Sequence, residues 1–436
     1  MMTTMTTNNG KSVYLVTLGC DKNRVDAERI LARFIASGFT VVQDSESADI
    51  IVVNTCGFIN SAKEEAIATI FDAIETKNRT GAKVVVTGCL AERYLDTLKS
   101  DIPEIDYVLP LSQNEEICAI IGDKRVDTDN RVLTTPPHYA YLKIADGCNN
   151  HCAFCAIPSI RGRYKSVPID EVVKEAERLI NDFGIKELIL VAQDVTRYGY
   201  DLYGEYALVQ LLERLVKLDV EWIRLMYLYP ELVSDELLDF IAKNDKVCKY
   251  LDIPMQHASD NILKAMCRRN TESDARRLVE KIRQKLPDAT IRSTFMVGFP
   301  SETQEDFDTL LKFLSDTRLD NVGFFAYSRE EGTKSYSMKP QITQKVKKER
   351  LKEVFLTQQS IAFSKNEEKV GKTFDVLYEG IDEDKQLFVG RSYAEAPDID
   401  GKIYFSADFC PLVGEFYKVH ITKTLGYDLY GEIKGE

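Results

Sequence analysis

The sequence has no long apolar run and no segment of the secretory type. No stretch approaches the roughly 20 apolar residues that a membrane-spanning helix requires. Residues 1–11 are polar and rich in Thr and Asn, and they lack the basic segment followed by an apolar one that marks a secretory signal. We therefore expect a cytoplasmic protein that has no membrane partner.

Short tandem repeats are also missing, which excludes a solenoid, and there is no low-complexity tract beyond the first few residues. Basic residues are not in excess, since Lys and Arg number 56 against 69 Asp and Glu, for a formal net charge of −13. Binding to a phosphate backbone requires a surplus of Lys and Arg. The balance therefore argues against general nucleic-acid binding and favours a basic partner.

The composition is otherwise typical of a globular protein. Of the 436 residues, 44% are hydrophobic and 29% are charged, enough for two or three domains with cores of their own. The chain has 10 cysteines. Since a reducing cytoplasm keeps thiols free, cysteines that cluster in such a chain indicate metal ligation or catalysis rather than disulfides.

Two changes in composition, at residues 127–138 and 365–372, divide the chain. We predict three domains, over residues 11–126, 134–365 and 367–436. In the first, β-rich segments are each followed by a helical pattern, which predicts a parallel α/β domain. Its predicted strands are Val13–Leu18, Ile50–Asn54 and Val84–Thr87.

The middle domain repeats the alternation of strand and helix six times, which predicts an incomplete β/α barrel with its ligands at the carboxyl ends of the strands. Its predicted strands are Tyr141–Ala145, Leu188–Ala192, Ile223–Leu228, Tyr250–Ile253, Ile291–Val297 and Val322–Tyr327. A mostly helical segment follows at residues 341–369. In the last domain, β-forming residues alternate with Gly, Asp and Pro turns, which predicts a small antiparallel β-barrel.

Three cysteines, Cys148, Cys152 and Cys155, follow the first predicted strand of the middle domain with the spacing C-x-x-x-C-x-x-C. Three thiolates this close can hold one iron–sulfur cubane, and without a fourth cysteine nearby one iron is open to a small molecule. A zinc site or unliganded buried thiols are the alternatives. Structural zinc prefers four protein ligands and His151 lies at a poor spacing for one, so the cluster is the favoured interpretation.

The spacing and position of this loop resemble those of the radical S-adenosylmethionine (SAM) superfamily. The resemblance implies that the three cysteines hold a 4Fe-4S cluster whose open iron binds SAM, and that one electron then cleaves SAM to methionine and a 5′-deoxyadenosyl radical. It also implies that the backbone around Phe154 approaches the adenine. Residues at other strand ends, where a barrel has its active site, are candidate contacts for SAM or substrate: Gln193, Gln256 and Gly298.

Three further cysteines, Cys20, Cys56 and Cys89, each come directly after a predicted strand of the first domain. Because the carboxyl ends of parallel strands share one edge of a sheet, we expect these thiols to converge, beside glycines that permit close approach of a bulky cofactor. The alternative is three unrelated small buried residues. Three equivalent positions favour a second cluster. We interpret the remaining cysteines as structural: Cys118, Cys248, Cys267 and Cys410.

A three-cysteine α/β domain, a radical SAM barrel and a small β-barrel together resemble the methylthiotransferase family over nearly the whole chain. The resemblance implies two 4Fe-4S clusters, of which the auxiliary one carries or delivers sulfur through its open iron. It implies SAM, an external electron donor such as ferredoxin or flavodoxin, and a sulfur donor. It also implies that the last module is a TRAM domain, which recognises the substrate.

The family includes enzymes that modify adenosine in tRNA and enzymes that methylthiolate the β-carbon of an aspartate in small-subunit ribosomal protein twelve. Several segments resemble the second group. They are residues 18–23, 193–199, 254–259 and 396–401. That group typically has Pro after the first cysteine, where this chain has Asp21.

The charge of the last domain bears on the same choice. Residues 372–436 contain seven Lys or Arg and thirteen Asp or Glu, a net charge of −6. A module that binds tRNA is expected to be basic, whereas one that binds a basic ribosomal protein is expected to be acidic, although acids also simply solvate a surface. We therefore predict a protein aspartate methylthiotransferase. The alternatives are a tRNA methylthiotransferase and, more distantly, a non-catalytic metal-binding ribosome-associated protein.

Overall fold

The first sheet of the computed structural model, which describes residues 10–433, has five parallel strands in the order β2-β1-β3-β4-β5. The central strand β3 is buried along its whole length, as expected of a parallel strand between two helical layers. The strands are β1 (Ser12–Thr17), β2 (Thr40–Val41), β3 (Ile50–Thr55), β4 (Lys83–Gly88) and β5 (Tyr107–Val108). The helices are α1 (Asp21–Ala36), α2 (Asn60–Thr80), α3 (Cys89–Arg93), α4 (Leu95–Asp101) and α5 (Ile117–Ile120).

Six parallel strands form the second sheet, in the order β13-β12-β11-β10-β9-β6. Its edge strands β6 and β13 do not pair with each other, so the barrel is incomplete, as predicted. The strands are β6 (Tyr139–Lys143), β9 (Glu187–Val191), β10 (Trp222–Leu225), β11 (Val247–Asp252), β12 (Thr290–Val297) and β13 (Asn321–Ala326). A separate two-stranded ribbon pairs β7 (Ala145–Asp146) with β8 (Lys165–Ser166).

Helices follow the strands of this sheet and bury one apolar core against its outer face. The long helix α14 covers the last strands, β12 and β13, in agreement with the helical segment predicted there. The helices are α6 (Ile157–Ile160), α7 (Ile169–Phe183), α8 (Tyr200–Tyr203), α9 (Leu208–Leu215), α10 (Asp235–Lys243), α11 (Asp260–Ala265), α12 (Glu272–Lys285), α13 (Gln304–Thr317) and α14 (Gln344–Glu367). No helix within residues 10–433 is both long and apolar enough to cross a membrane.

The last sheet closes into a five-stranded barrel in the order β14-β15-β16-β18-β17. The expected fold class is confirmed, with one refinement: β16 and β18 run parallel, whereas the other neighbours are antiparallel. Between β16 and β17 the chain crosses one end of the barrel. Strand β18, the hairpin partner of β17, therefore lies beside β16 and runs in the same direction. The strands are β14 (Thr373–Asp382), β15 (Leu387–Arg391), β16 (Ile403–Ser406), β17 (Phe416–Leu425) and β18 (Asp428–Ile433).

This C-terminal barrel docks on the amino ends of the six-stranded sheet. Trp222, the single tryptophan of the chain, packs edge-on against Phe416 with ring centroids 4.6 Å apart. Beside it, the Glu187 carboxylate accepts hydrogen bonds from Arg224 Nε at 2.6 Å and Arg391 Nη2 at 2.8 Å, and all three side chains are buried. The interface therefore joins two domains through apolar packing and a buried ionic network.

A loop of the C-terminal barrel, Ala396–Gly401, reaches further and packs against the inner face of the open barrel. Ala396 packs in one apolar cluster with Tyr139 and Val191 of the sheet's inner face. The Tyr250 hydroxyl donates to Asp400 Oδ2 at 2.6 Å. The inner faces of β6, β9 and β11 are thus covered by a segment that follows each of these strands by more than a hundred residues.

Candidate functional site

Cys148, Cys152 and Cys155, here called the loop triplet, lie at the carboxyl end of β6, between the two strands of the small ribbon. Gly147 begins the loop with φ +75°, and a Cβ there would lie 2.3 Å from the Arg163 carbonyl oxygen, so the turn requires glycine. Cys148 N donates to Gly162 O at 3.1 Å and Ala153 N donates to Met266 O at 2.9 Å. The backbone thus fixes the loop at both ends.

At two sulfurs of the loop triplet, the effect of burial outweighs that of the nearby cations Arg197 and Arg268. Burial raises the pKa of Cys148 and raises that of Cys155 to about 12. The Cys148 sulfur accepts from Asn150 N at 3.4 Å, and the Cys152 sulfur lies 3.6 Å from the Tyr229 hydroxyl. A bound metal deprotonates a thiol outright, so these cysteines can be thiolates when they bind a metal cluster.

The four residues expected near SAM lie around the mouth of the barrel in two groups. Phe154 packs against the apolar cluster that contains Met296 and Phe299, the residue after Gly298. Gln193, at the end of β9, lies on the other side, where its Nε2 donates to Asp146 Oδ1 at 3.0 Å. Gln256 follows β11. Strand-end placement therefore brings all four residues to one end of the sheet.

Two of these residues carry buried polar atoms without a partner. Gln193 Oε1 and Gln256 Oε1 both lack a hydrogen-bond partner among the residues that the structure describes. Gln256 also has φ +72°, an uncommon backbone conformation for a side chain of this kind. Buried acceptors left unpaired at a barrel mouth fit a polar ligand that donates hydrogen bonds.

His257, beside Gln256, is a third residue with an unpaired buried atom, since its Nε2 lacks a hydrogen-bond partner among the described residues. It is fully buried, its Nδ1 accepts from Ser259 N at 2.9 Å, and its Nε2 lies 3.8 Å from Glu302 Oε2. Burial lowers the pKa of His257 to about 3. The imidazole is therefore neutral near pH 7 and is enclosed by protein.

Cys20, Cys56 and Cys89, here called the strand-end triplet, follow β1, β3 and β4. Their turns pack directly on one another. A Cβ added to Gly19 would lie 2.8 Å from the Cys56 sulfur, and one added to Gly88 would lie 2.4 Å from the Thr55 carbonyl oxygen. The three thiols lie at one edge of the first sheet, which is the arrangement that parallel strands predict.

Burial raises the pKa of Cys56 and raises that of Cys89 to about 11, and charge on Cys20 adds to both shifts. Cys20 itself is exposed. Within residues 10–433, no three His, Cys, Asp or Glu side chains have the arrangement of ligands around a metal ion. The fit of each triplet to a cluster rests on its three soft donors and on the tight glycine turns that let their backbones pack closely.

The two triplets face each other. Cys89 packs in one small apolar cluster with Ala156, the neighbour of Cys155, and with Ile160. The first domain is held over the mouth of the barrel by ion pairs at its edge, such as those of Glu330 with Lys63 at 2.8 Å and Arg93 at 3.1 Å. The site is therefore a cleft between two domains, with cysteines on both walls.

A second contact between the walls lies at the start of α1. Lys22 Nζ is 3.4 Å from the centre of the Tyr227 ring, and the Tyr227 hydroxyl donates to Asp21 Oδ1 at 3.3 Å. Burial alone lowers the pKa of Lys22, but the adjacent Asp21 carboxylate raises it above the ordinary value. Lys22 is thus a fixed positive charge beside Cys20.

Sequence reasoning missed two residues whose side chains contact the triplets, Arg161 and Tyr229, and it gave no role to Lys22, the second residue after Cys20. Arg161 Nη2 lies 3.4 Å from the Cys89 sulfur. Its partners are distant in sequence, so no local pattern marks it. Tyr229 follows β10, so the same rule of strand ends that predicted Gln193 could have found it. Two of the remaining cysteines, Cys118 and Cys248, are buried, Cys267 is half-buried and Cys410 is exposed.

Three family models match consecutive parts of the chain. The model described as "Uncharacterized protein family UPF0004" matches residues 12–110, "Radical SAM superfamily" matches residues 142–314, and "TRAM domain" matches residues 370–433. The three matches correspond to the three sheets. The order of modules is therefore the one that the cysteine spacing and the β-rich last segment predicted.

Relatives match over nearly the full length. "Ribosomal protein uS12 methylthiotransferase RimO" of Clostridium botulinum (strain Eklund 17B / Type B) is 45% identical, covering 97% of this chain and 98% of its own. The protein of the same name from Acetivibrio thermocellus is 44% identical, covering 98% and 99%. The radical SAM methyltransferase TsrM from Kitasatospora setae shares the fold, with a TM-score of 0.52, 15% identity and 74% of each chain covered. Because the likeness to the first two relatives extends over all three modules, the chain belongs to the RimO family of radical SAM methylthiotransferases.

Proposed function

We propose that this chain attaches a methylthio group to the β-carbon of an aspartate in ribosomal protein uS12, with one 4Fe-4S cluster at each cysteine triplet. The observation that carries the proposal is the arrangement of the two triplets on the facing walls of one cleft. As a member of the radical SAM superfamily, the chain uses an iron–sulfur cluster and SAM. The second cluster, an electron donor such as ferredoxin or flavodoxin, a sulfur donor and a cytoplasmic location are parts of the proposal.

The ligand assignment follows from donor chemistry. Each triplet supplies three thiolates, one fewer than the four that usually hold a cubane, so one iron at each site stays open. We assign the loop triplet to the cluster that binds SAM and the strand-end triplet to the cluster that delivers sulfur. When bound, the first cluster and SAM supply a radical that removes hydrogen from an unactivated carbon.

The residues around the mouth have the task of holding SAM and excluding water. Gln193 and Gln256 offer their unpaired Oε1 atoms to hydrogen-bond donors of SAM. Phe154 and the turn at Gly298 supply an apolar wall for the adenine, since Phe154 packs against the apolar cluster that contains Met296 and Phe299. Lys22 and Tyr227 close the cleft at the side of Cys20.

Two observations support a protein substrate. The relatives described above carry the name of a uS12 methylthiotransferase. The last module, which we assign to residues 367–436 and to substrate recognition, has a net charge of −6 over residues 372–436. An acidic surface attracts a basic ribosomal protein and repels the phosphates of tRNA. The other proposed domains are residues 11–126 and 134–365.

The proposal is tested with the full chain reconstituted anaerobically with iron and sulfide. We expect about eight irons for each chain if both clusters are cubanes. Under reduction with SAM, uS12 or a peptide that carries its target loop should gain the mass of a methylthio group, and tRNA should not. A mass increment on tRNA alone would overturn the substrate. Absence of SAM cleavage would overturn the enzymatic proposal.

Single cysteine variants separate the two sites. Cys152→Ala should abolish 5′-deoxyadenosine formation, whereas Cys56→Ala should keep part of it and lose sulfur insertion. Cys118→Ala is the matched control, because this cysteine is buried in an apolar core on the first sheet, away from both triplets. Equal deoxyadenosine formation by the Cys152 variant and the Cys118 control would contradict the assignment of the loop triplet.

A further inference from the structure

Arg161 lies between the two triplets and contacts groups on both walls of the cleft. Its side chain is 2% exposed. Nη2 donates to the Cys89 sulfur at 3.4 Å and to Asn23 Oδ1 at 3.3 Å. Nη1 donates to Asp26 Oδ2 and to Asp146 Oδ2, both at 2.9 Å. One guanidinium thus joins helix α1, the strand-end triplet and the ribbon that carries the loop triplet.

The charges around Arg161 fix its direction. Lys143 pairs with both Asp26 and Asp146, so two cations and two carboxylates form a closed set. Because Nη1 donates to both carboxylates, Nη2 is directed at the Cys89 sulfur and at Asn23 Oδ1. A planar guanidinium can donate to carboxylates with one nitrogen and to a sulfur with the other, whereas the point charge of a lysine cannot.

The contacts continue to the SAM side of the site. Asp146 Oδ1 accepts from Gln193 Nε2 at 3.0 Å and from Gly147 N at 2.9 Å. A continuous row of hydrogen bonds therefore runs from Cys89 through Arg161 and Asp146 to Gln193. Because Gly147 begins the cysteine loop, the same carboxylate also holds the loop triplet in place.

We propose that Arg161 is a positioning residue that orients Cys89, sets the reduction potential of the cluster at the strand-end triplet and connects that site to Gln193. The inference rests on the proposed function, since it takes the strand-end triplet to hold a cluster. Hydrogen bonds to ligand sulfurs are one of the determinants of iron–sulfur potentials, and partners of the ligands orient them. A charged N–H donor favours the reduced, more negative cluster.

The test uses a full-length chain in which Cys148, Cys152 and Cys155 are replaced by Ala, so that only the strand-end cluster forms. Arg161→Gln and Arg161→Lys are compared with Arg131→Gln in this background. Arg131 is the matched control. It is also 2% exposed and joins Glu28 of α1 to Glu175 of α7, but it donates to no sulfur. The readout is a redox titration followed by electron paramagnetic resonance, with circular dichroism to check the fold.

We expect Arg161→Gln to lower the ratio of reduced to oxidised cluster at least tenfold at a fixed potential, which is about 59 mV for a one-electron couple. Arg161→Lys should recover part of this change, and Arg131→Gln should leave the potential unaltered. Loss of cluster iron in Arg161→Gln but not in Arg131→Gln would equally support the positioning role. If Arg161→Gln does not fold, a shifted spectrum in Arg161→Lys supports the inference and an unshifted one overturns it.

Two further outcomes would overturn the inference. One is an unchanged potential in a folded Arg161→Gln chain, and the other is an equal shift in Arg131→Gln, which would mean that any loosened domain contact has this effect. The proposed function fails in a different way. If the background chain with an intact Arg161 binds no cluster, the second cluster is contradicted and the inference with it.

Discussion

Replacement of Glu187 by Gln should release the C-terminal barrel from the six-stranded sheet. Glu187 is fully buried and is the common partner of Arg224 and Arg391. Arg391 has a second partner in Glu379, at 2.8 Å, and this carboxylate is partly exposed. Gln keeps the size of the side chain but removes its charge. Arg391 then keeps Glu379, whereas Arg224 has no other carboxylate partner among the described residues, so its buried positive charge is left uncompensated.

The magnitude follows from the two hydrogen bonds that Glu187 accepts. Each hydrogen bond to a charged group contributes about 1.5–3 kcal/mol, and removal of one partner from a buried ion pair costs about 3–5 kcal/mol. With a urea m value of about 2 kcal/mol per M, the midpoint of unfolding should fall by about 2 M. Trp222 lies at this interface and is the single tryptophan, so its fluorescence reports directly on the contact.

Dependence on pH gives a second measure of the same network. Burial alone would raise the pKa of Glu187, but Arg224 and Arg391 lower it to about 2. A carboxyl with a lowered pKa stabilises the folded chain fully above its unfolded pKa of about 4.3, and this contribution is lost as the pH falls toward 2. The advantage of the wild type over Glu187→Gln should therefore be constant above about pH 5 and shrink below it.

Glu383→Gln serves as the control, because Glu383 lies in the exposed turn between β14 and β15. An exposed substitution of this kind changes stability by at most about 0.5 kcal/mol. The reasoning is refuted if Glu187→Gln and Glu383→Gln unfold at the same urea concentration, or if their difference persists unchanged at pH 3.

Two other substitutions test the site and the core. Gly88→Ala should prevent the strand-end cluster from binding, because its Cβ would lie 2.4 Å from the Thr55 carbonyl oxygen. Bound iron should then fall from about eight to about four. Gly81→Ala, also at a positive φ but with nothing within 4 Å, should cost about 1 kcal/mol and keep all the iron; equal iron in both variants would contradict the packing argument. The third prediction concerns His257, whose pKa burial lowers to about 3. The unfolded chain takes up a proton near pH 6.5 while the folded chain does not, so stability should fall by roughly 1.3 kcal/mol between pH 7 and 5.5 through this residue alone. Urea titrations of His257→Gln should lack that part of the loss, and an identical pH dependence in both chains would show that His257 titrates normally in the fold.

Local sequence patterns were sufficient to predict the main strands, but not the short edge strands β2 and β5 of the first sheet or the small ribbon of β7 and β8. The β-rich runs in the first two domains each became a strand within a few residues of the predicted bounds, because parallel strands buried on both faces need continuous apolar sequence. The same rule predicted that Cys20, Cys56 and Cys89 would come to one edge. Their role as ligands stays a prediction, since it depends on iron and sulfide.

The contacts between domains could not be predicted in this way. Arg161 meets Asp26 and Cys89 only because two separate sheets face each other, and nothing in the residues next to it indicates which carboxylates it will find. The parallel pairing of β16 with β18 has a similar origin. It results from the path of the crossing segment over the barrel end, and β-propensity contains no information about that path.

During protein synthesis, the Ala396–Gly401 loop is translated long after the strands that it covers. While the last domain is still being translated, the inner face of the six-stranded sheet, with Tyr139 and Tyr250, lacks its cover. Apolar surface exposed in this way binds chaperones or aggregates. A chain that stops before Thr373 should therefore be an insoluble product rather than a smaller enzyme, even though every cysteine of both triplets is present in it.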